Sequence, residues 1–204
     1  MINSDLQWKM LGDIGEFVRG TGLQKKDFTE TGVPAIHYGQ IYTRYGNSAT
    51  ETISFVSKEL AMKLRKVNKG DVVITNTSEN LEDVGKALVY LGEKQAATGG
   101  HATIIKPNET LLGKYLVYYT QTNMFSEQKR KYAKGTKVID VSAADMKKIQ
   151  IPLPPLAEQQ RIAEILDKFD ALVNDISQGL PAEIIARRKQ YEYYREQLLS
   201  FPEN

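Results

Sequence analysis

Along the last quarter of the chain, apolar residues recur at Ile162, Leu166, Phe169, Val173, Ile176 and Leu180, in alternating four- and three-residue steps. That spacing draws one narrow apolar seam along a helix. Leu156 fits as its first member, and the intervening Glu, Gln, Arg, Asp, Lys and Ala residues form helices well. Pro154 and Pro155 precede the first turn, where a missing N–H is harmless and φ is already set. Glu158 lies in that turn and complements the helix dipole. Gly179, Leu180 and Pro181 then interrupt the pattern, because Pro181 lacks a donor and crowds the carbonyl four residues back. A second stretch carries Ile184, Arg187, Tyr191, Tyr194 and Leu198, in four-three spacing offset from the first. The pattern predicts helices over residues 155–178 and 181–199, kinked or joined by a tight turn. Laid end to end they would span on the order of 60 Å at about 1.5 Å per residue, too long to lie against one small domain. The alternative is a C-terminal helix packed on its own globular domain.

Upstream the periods are shorter and mixed. Trp8, Leu11, Ile14 and Phe17 open the body, and RGTGLQKKDF follows as a loop with two glycines and the pair Lys25, Lys26. VPAIHYGQIYTRYG reads as a short strand around 35–38, a turn at Gly39 and more extended chain. His37, Tyr38, Gln40, Tyr42, Arg44 and Tyr45 crowd this segment with stacking and hydrogen-bonding side chains. Packing on the core accounts for each alone; as a cluster between basic loops they fit DNA contact. SKELAMKL is a brief amphipathic helix N-capped by Ser57. Strand-like runs at 71–75 and 86–91 flank a polar loop, 76–83, that holds Asn76, Thr77, Ser78 and Asn80. That loop is longer than an ordinary hairpin requires. Gly99 and Gly100 allow close backbone approach beside His101, and Ile104–Ile105 marks a buried strand. LLGKYLVYYTQTNMFSEQKRKYA reads as one helix carrying Leu112, Tyr115, Leu116, Tyr119, Met124 and Phe125. Lys129, Arg130, Lys131, Lys134 and Lys137 then surround a Gly135–Thr136 turn, either as a solvated helix end or as a phosphate contact.

The 204 residues suit one globular domain plus a helical arm, with apolar content of 41% for a core. The net charge of +2 hides a split. Residues 1–150 hold 21 Lys or Arg against 16 Asp or Glu, and residues 151–204 hold 6 against 9. A basic body with an acidic arm suits a domain that meets phosphates while its helices meet protein. The absence of cysteine excludes disulfides and thiolate metal sites, and two histidines make a poor transition-metal site. The N-terminus has neither the basic start nor the apolar run of a signal peptide, and no stretch approaches the roughly 20 apolar residues of a membrane span. The expectation is a soluble, cytoplasmic protein. No G-x-x-x-x-G-K-S/T loop and no G-x-G-x-x-G turn is present. The sole Pro-Pro pair lies in Leu153-Pro154-Pro155-Leu156, so the aminomethyltransferase tetrapeptide (Asn or Asp, Pro-Pro, aromatic) is missing. Glu127-Gln128-Lys129 is half of a nuclease motif without a placed acidic partner. The chain reads as non-catalytic, without a cofactor of its own.

The junction IQIPLPPLAEQQRIAEILDKFDAL, followed by RRKQYEYYREQLL, resembles the conserved helical region of type I restriction–modification specificity subunits. GDVVITNT…VGKA resembles that family's strand, polar loop, glycine and strand signature. In the family a proline-rich stretch closes a target recognition domain, and the helix spaces it from a second one. This sequence has room for one of each and so resembles a half-length subunit. The resemblance implies an α+β fold: a largely β recognition body over 1–152 and a coiled-coil-forming helical arm over 153–204. It implies partners too, namely double-stranded DNA, methyltransferase subunits that use S-adenosylmethionine, and an ATP-driven restriction subunit. The candidate DNA-facing residues are Lys25, Lys26, Tyr38, Gln40, Arg44, Tyr45, Asn76, Thr77, Ser78, Asn80, His101, Lys134, Thr136 and Lys137. The candidate pairing surface is Ile162, Leu166, Phe169, Val173, Ile176, Ile184, Tyr191 and Leu198. Left wet in a monomer, side chains of this kind gain about 1.5–3 kcal/mol each on burial. A homodimer through the arm is therefore expected, either by itself or only on assembly with methyltransferase subunits that share the seam, and two-fold symmetry makes its target an inverted repeat. Two alternatives are a fragment of a fused restriction–methylation enzyme, which needs a methyl-donor motif, and a coiled-coil adaptor, which shows no salt-dependent DNA affinity.

Overall fold

An unbroken apolar run of Val and Ile suits a strand covered on both faces, and the run at 72–74 is buried throughout, as is Thr75 after it. The structure is a computed structural model that describes residues 6–175 and 181–201, apart from the side chains of 173–175, 181, 182 and 184. The chain enters through β1 (Gln7–Met10), α1 (Leu11–Ile14), β2 (Gly15–Arg19), β3 (Val33–Ile36) and α2 (Tyr38–Thr43). Next come β4 (Ser48–Ala49), β5 (Ser54–Val56), α3 (Lys58–Lys63), β6 (Arg65–Val67) and the central strand β7 (Val72–Thr75). β8 (Thr77–Ser78), β9 (Ala87–Tyr90), β10 (Ala96–Thr98) and β11 (Ala102–Pro107) lead to α4 (Gly113–Tyr119) and α5 (Asn123–Tyr132). β12 (Ile139–Asp140), α6 (Ala143–Met146) and β13 (Gln150–Leu153) precede α7 (Leu156–Asp175) and α8 (Pro181–Leu199).

The main sheet has the order β2-β11-β7-β9-β4, and a second sheet the order β5-β3-β10-β6. Period-two alternation sorts their side chains. Val72, Ile74, Val89 and Ile105 face the helices, whereas Val73, Leu88, Tyr90 and Ile104 meet Ile36 and Val67 of the second sheet. Ala35, Val56 and Ala97 cover the far side of that sheet with Ala61 and Leu64. The result is an α+β fold with helices, two sheets and α3 in successive layers. β1 pairs antiparallel with β13, Gln7 opposite Leu153, which ties the start of the body to the residues just before α7.

Two elements differ from the sequence expectation. Residues 38–43 are helical rather than a turn and extended chain, because His37 and Gln40 cap them reciprocally. His37 Nδ1 accepts from Gly39 N at 3.1 Å, and Gln40 Oε1 accepts from His37 N at 3.2 Å. The long helix expected over 111–133 is broken into α4 and α5, since Thr122 Oγ1 accepts from Phe125 N at 3.3 Å and starts a second helix. Elsewhere α3, β7 and β9 form where the pattern puts them, and Ser57 Oγ accepts from Leu60 N at 3.2 Å.

The helical arm does not stand clear of the body. Gln159, fully buried, accepts from Leu112 N and donates to Thr110 O and Pro154 O, each at 2.8 Å. Ile162 and Leu166 lie in the same core as Tyr115 and Leu116 of α4. Tyr118 Oη donates to Asp167 Oδ1 at 2.6 Å, and burial together with that carboxylate pushes the Tyr118 pKa far up. Phe169 and Tyr194 stack with ring centroids 5.4 Å apart. They would stand roughly 37 Å apart on a straight helix at 1.5 Å per residue, so α8 folds back onto α7. Tyr191 and Leu199 are buried in the body core, and Leu198 packs partly against it. The seam expected to be wet in a single chain is thus covered at Ile162, Leu166 and Tyr191 by the chain itself. The side chain of Val173, that of Ile184 and the whole of Ile176 lie outside the described residues. The arm still exposes Leu172, Ile185 and Tyr193.

Candidate nucleic-acid interface

Three loops converge where the chain leaves β7. The polar loop that starts at Asn76 pairs with the basic segment through β8 and β12, Thr77 opposite Asp140 and Ser78 opposite Ile139. Lys134 bridges back to Asp140, and Gly135 with φ +100° turns the exposed run through Thr136 and Lys137. The third loop is the β10–β11 turn. His101 there adopts φ +66°, a left-handed conformation that costs a non-glycine residue about 1–2 kcal/mol. Two bonds hold it: Thr77 Oγ1 to His101 Nδ1 at 2.9 Å and Asn76 N donating to His101 O at 2.8 Å. Tyr38 lies with its ring 5.0 Å from His101, and Tyr42 Oη donates to Thr77 O. A Cβ on Gly99 would fall 2.1 Å from the Cβ of Leu23, so only glycine lets the loop bearing Lys25 and Lys26 come this close. Burial, and then the Lys25 charge, lower the His37 pKa, which keeps Nδ1 free to accept from Gly39.

Three sequence candidates sit elsewhere than expected. Asn76 has no exposed surface; its Nδ2 donates to Val141 O at 2.8 Å and its Oδ1 accepts from Thr103 Oγ1 at 2.7 Å. A residue so enclosed does not meet a base edge. Gln40 spends its amide on the His37 cap and on Ser54 Oγ, at 2.5 Å. Tyr45 Oη accepts from Ile53 N at 2.8 Å, and its ring packs against the inter-sheet core.

Lys129 departs from the rest of the basic run, whose Arg130, Lys131, Lys134 and Lys137 are exposed. It is buried, and Nζ donates to Val84 O at 2.7 Å, anchoring the far end of the polar loop. Gly85, at φ +84°, leaves room for it; a Cβ there would lie 2.9 Å from Lys129 Cδ. Desolvation lowers the Lys129 pKa to about 8 against the pull of Asp83 and Glu82. A depressed lysine binds fewer protons in the folded chain than in the unfolded one. Its contribution to stability is therefore complete above the unfolded value near 10.4 and is lost as pH falls through about 8. Urea unfolding from pH 7.5 to 10 should show the wild type gaining stability relative to Lys129→Met as pH rises. A constant difference would place the ammonium in water.

The sequence matches the family of the type I restriction modification DNA specificity domain over residues 3–186. The chain belongs to that family. It is 33% identical over 205 residues to the specificity subunit of the EcoR124I/EcoR124II type I restriction enzyme of Escherichia coli, covering 97% of this chain and 49% of that protein. A putative type I specificity subunit of Haemophilus influenzae is 31% identical over 197 residues, covering 94% and 47%. The fold is shared with the crystal structure of the HsdS subunit from Thermoanaerobacter tengcongensis, at TM-score 0.62 and 18% identity, over 98% of this chain and 46% of that one. This specificity-domain chain thus spans about half the length of the relatives it matches.

Within the specificity domain, Lys25, Lys26, Arg44, Asn80, His101, Lys134, Thr136 and Lys137 are exposed, and Tyr38 and Ser78 are half-buried. Thr77 is nearly covered by its bonds to His101 and Tyr42. Asn80 is ordered locally, its Oδ1 accepting from Asp83 N at 2.8 Å. Arg19 was not among the sequence candidates, yet it stands 4.0 Å from Asp140 of β12 and is half exposed. Its place at the end of β2, directly before the lysine loop, was the available signal. Among the described residues no group of His, Asp and Glu could hold a metal, and no helix is long and apolar enough to cross a membrane.

Proposed function

We propose that this chain reads one half-site of a bipartite duplex DNA target for a type I methylation and restriction complex, without catalysing a reaction itself. The observation that carries this is its family membership over half the relatives' length, with one recognition body and one helical arm. Lys25, Lys26, Lys134 and Lys137 supply phosphate contacts that set register. Arg44 is an exposed side chain suited to a base edge, toward guanine, whereas Asn80 reaches adenine only by giving up its amide bonds to Asp83 N and Oδ2. S-adenosylmethionine and ATP belong to the methyltransferase and restriction subunits. The units 1–152 and 153–204 divide the work between DNA and partner subunits.

A second copy supplies the other half-site. Leu172, Ile185 and Tyr193 remain as exposed apolar surface on the arm for pairing, and an isologous pair places identical bodies about a two-fold axis. Mapping methylated adenines in DNA exposed to this chain together with its methyltransferase partner tests the reading. An inverted repeat with a fixed spacer supports it, and an asymmetric motif made with this chain alone excludes the paired half-subunit.

Replacing Lys134 and Lys137 together with Ala should weaken binding to every sequence. It should also flatten the slope of log affinity against log salt by about 1.8, two phosphates at about 0.9 each. An unchanged slope, measured by fluorescence anisotropy on a labelled duplex, removes both lysines from the interface.

A further inference from the structure

Asn76 makes four N–H···O or O–H···O hydrogen bonds, and a longer one from Nδ2 to Met146 Sδ at 3.9 Å, with none of its surface exposed. Its N–H donates to His101 O at 2.8 Å, and its backbone oxygen accepts from Val141 N at 2.9 Å. Its side chain donates to Val141 O at 2.8 Å and accepts from Thr103 Oγ1 at 2.7 Å. Those bonds reach all three loops of the candidate face: the polar loop that Asn76 opens, the turn at His101, and the end of the basic segment at Val141. We propose that Asn76, with Thr103, is the positioning residue that holds these loops in one arrangement, so that sequence discrimination depends on an amide that never touches DNA. The proposal rests on the DNA reading given above.

The chemistry selects the residue type. A primary amide presents a donor and an acceptor on one short planar group. Val141 offers a carbonyl and Thr103 a hydroxyl, so the amide has one satisfied orientation. Aspartate would set an oxygen against the Val141 carbonyl. Leucine would leave both partners unpaired in a dry site, where an unmet polar group is unfavourable. The contacts that shape the outer surface start at the next residue: Thr77 bonds His101, receives Tyr42 and pairs with Asp140. Displacing Asn76 therefore moves the polar loop, the histidine turn and the basic strand relative to one another. Readout by base-edge contacts tolerates displacements of only about 0.5 Å.

Thr103 gives access to the amide with little change of shape. Thr103→Val keeps the volume and loses the hydroxyl, whereas Thr103→Ser keeps the hydroxyl and loses a methyl. Amide hydrogen exchange on the free chain and enrichment of a randomised duplex pool are measured for each. In Thr103→Val, exchange at Asn76, whose N–H donates to His101 O, and over 134–141 should quicken about tenfold, with the β9 amides unchanged as the control for folding. Enrichment of the preferred motif over the pool mean should fall about tenfold, on the scale of one base contact, while the salt slope stays at its wild-type value. Thr103→Ser should behave as wild type in both. If Thr103→Val does not fold, Asn76→Asp repeats the test, keeping the acceptor for Thr103 and losing the donor to Val141. Wild-type exchange and enrichment in Thr103→Val overturn the proposal, as does an equal loss in Thr103→Ser, which assigns the effect to packing. A wild-type chain that enriches no motif overturns the DNA reading and this proposal together.

Discussion

Leu166→Ala is expected to lower the unfolding free energy by about 2–5 kcal/mol, the range for a fully buried leucine whose cavity cannot collapse. Leu166 has no exposed surface and shares its core with Tyr115, Leu116 and Ile162. The hydrogen bonds of Gln159 and Tyr118 hold α7 on both sides of it, so the helix cannot slide to fill the gap. Leu172, six residues further along the same helix, is 52% exposed, and its truncation should cost under about 0.5 kcal/mol. The paired measurement is the midpoint of urea unfolding at constant m. Equal effects at the two positions would mean that the arm stands free of the body. The contrast also bears on assembly, because an arm already packed on its own body pairs through the surface it has left.

Raising salt from 50 to 200 mM is expected to weaken duplex binding about 150-fold. Four phosphate contacts give a slope of about −3.6 in log affinity against log salt, and the concentration changes fourfold. The four are Lys25 and Lys26, exposed on the loop held against Gly99, and Lys134 and Lys137, exposed on the segment paired with the polar loop. Arg19 adds a fifth contact if Asp140 releases it, which would steepen the slope further. Titrations at several salt concentrations with a duplex of arbitrary sequence measure it, since phosphate contacts carry no sequence information. A slope near zero would leave the chain as a helical adaptor.

How much was legible depended on how local the deciding physics was. The seam from Leu156 onward located α7, and Pro181 located the start of α8, because helix periodicity and proline geometry act over a few residues. The same stripe could not say what covers it. An apolar face is satisfied equally by a second copy or by α4, and here Tyr115 and Leu116 cover Ile162 and Leu166. The cap that turns 38–43 into a helix was written as His37 followed three residues later by Gln40. Histidine as the capping acceptor, rather than Ser, Thr, Asp or Asn, kept it out of sight.

By itself, the sequence determined the α+β class, the family, the two helices of the arm and the stretches of chain that hold the candidate face. Each follows from spacing, composition or motif, which are properties of the chain before it folds. Tertiary structure alone decided which polar residues of those stretches reach the surface. Asn76 and Asn80 are the same residue type four positions apart in one polar loop. The first is sealed between Val141 and Thr103, residues separated from it by 65 and 27 positions, while the second faces solvent. Lys129 and Lys134 divide in the same way, one under the loop carbonyls and one at the surface beside Asp145, because a lysine in a basic run is buried only where distant backbone oxygens await it.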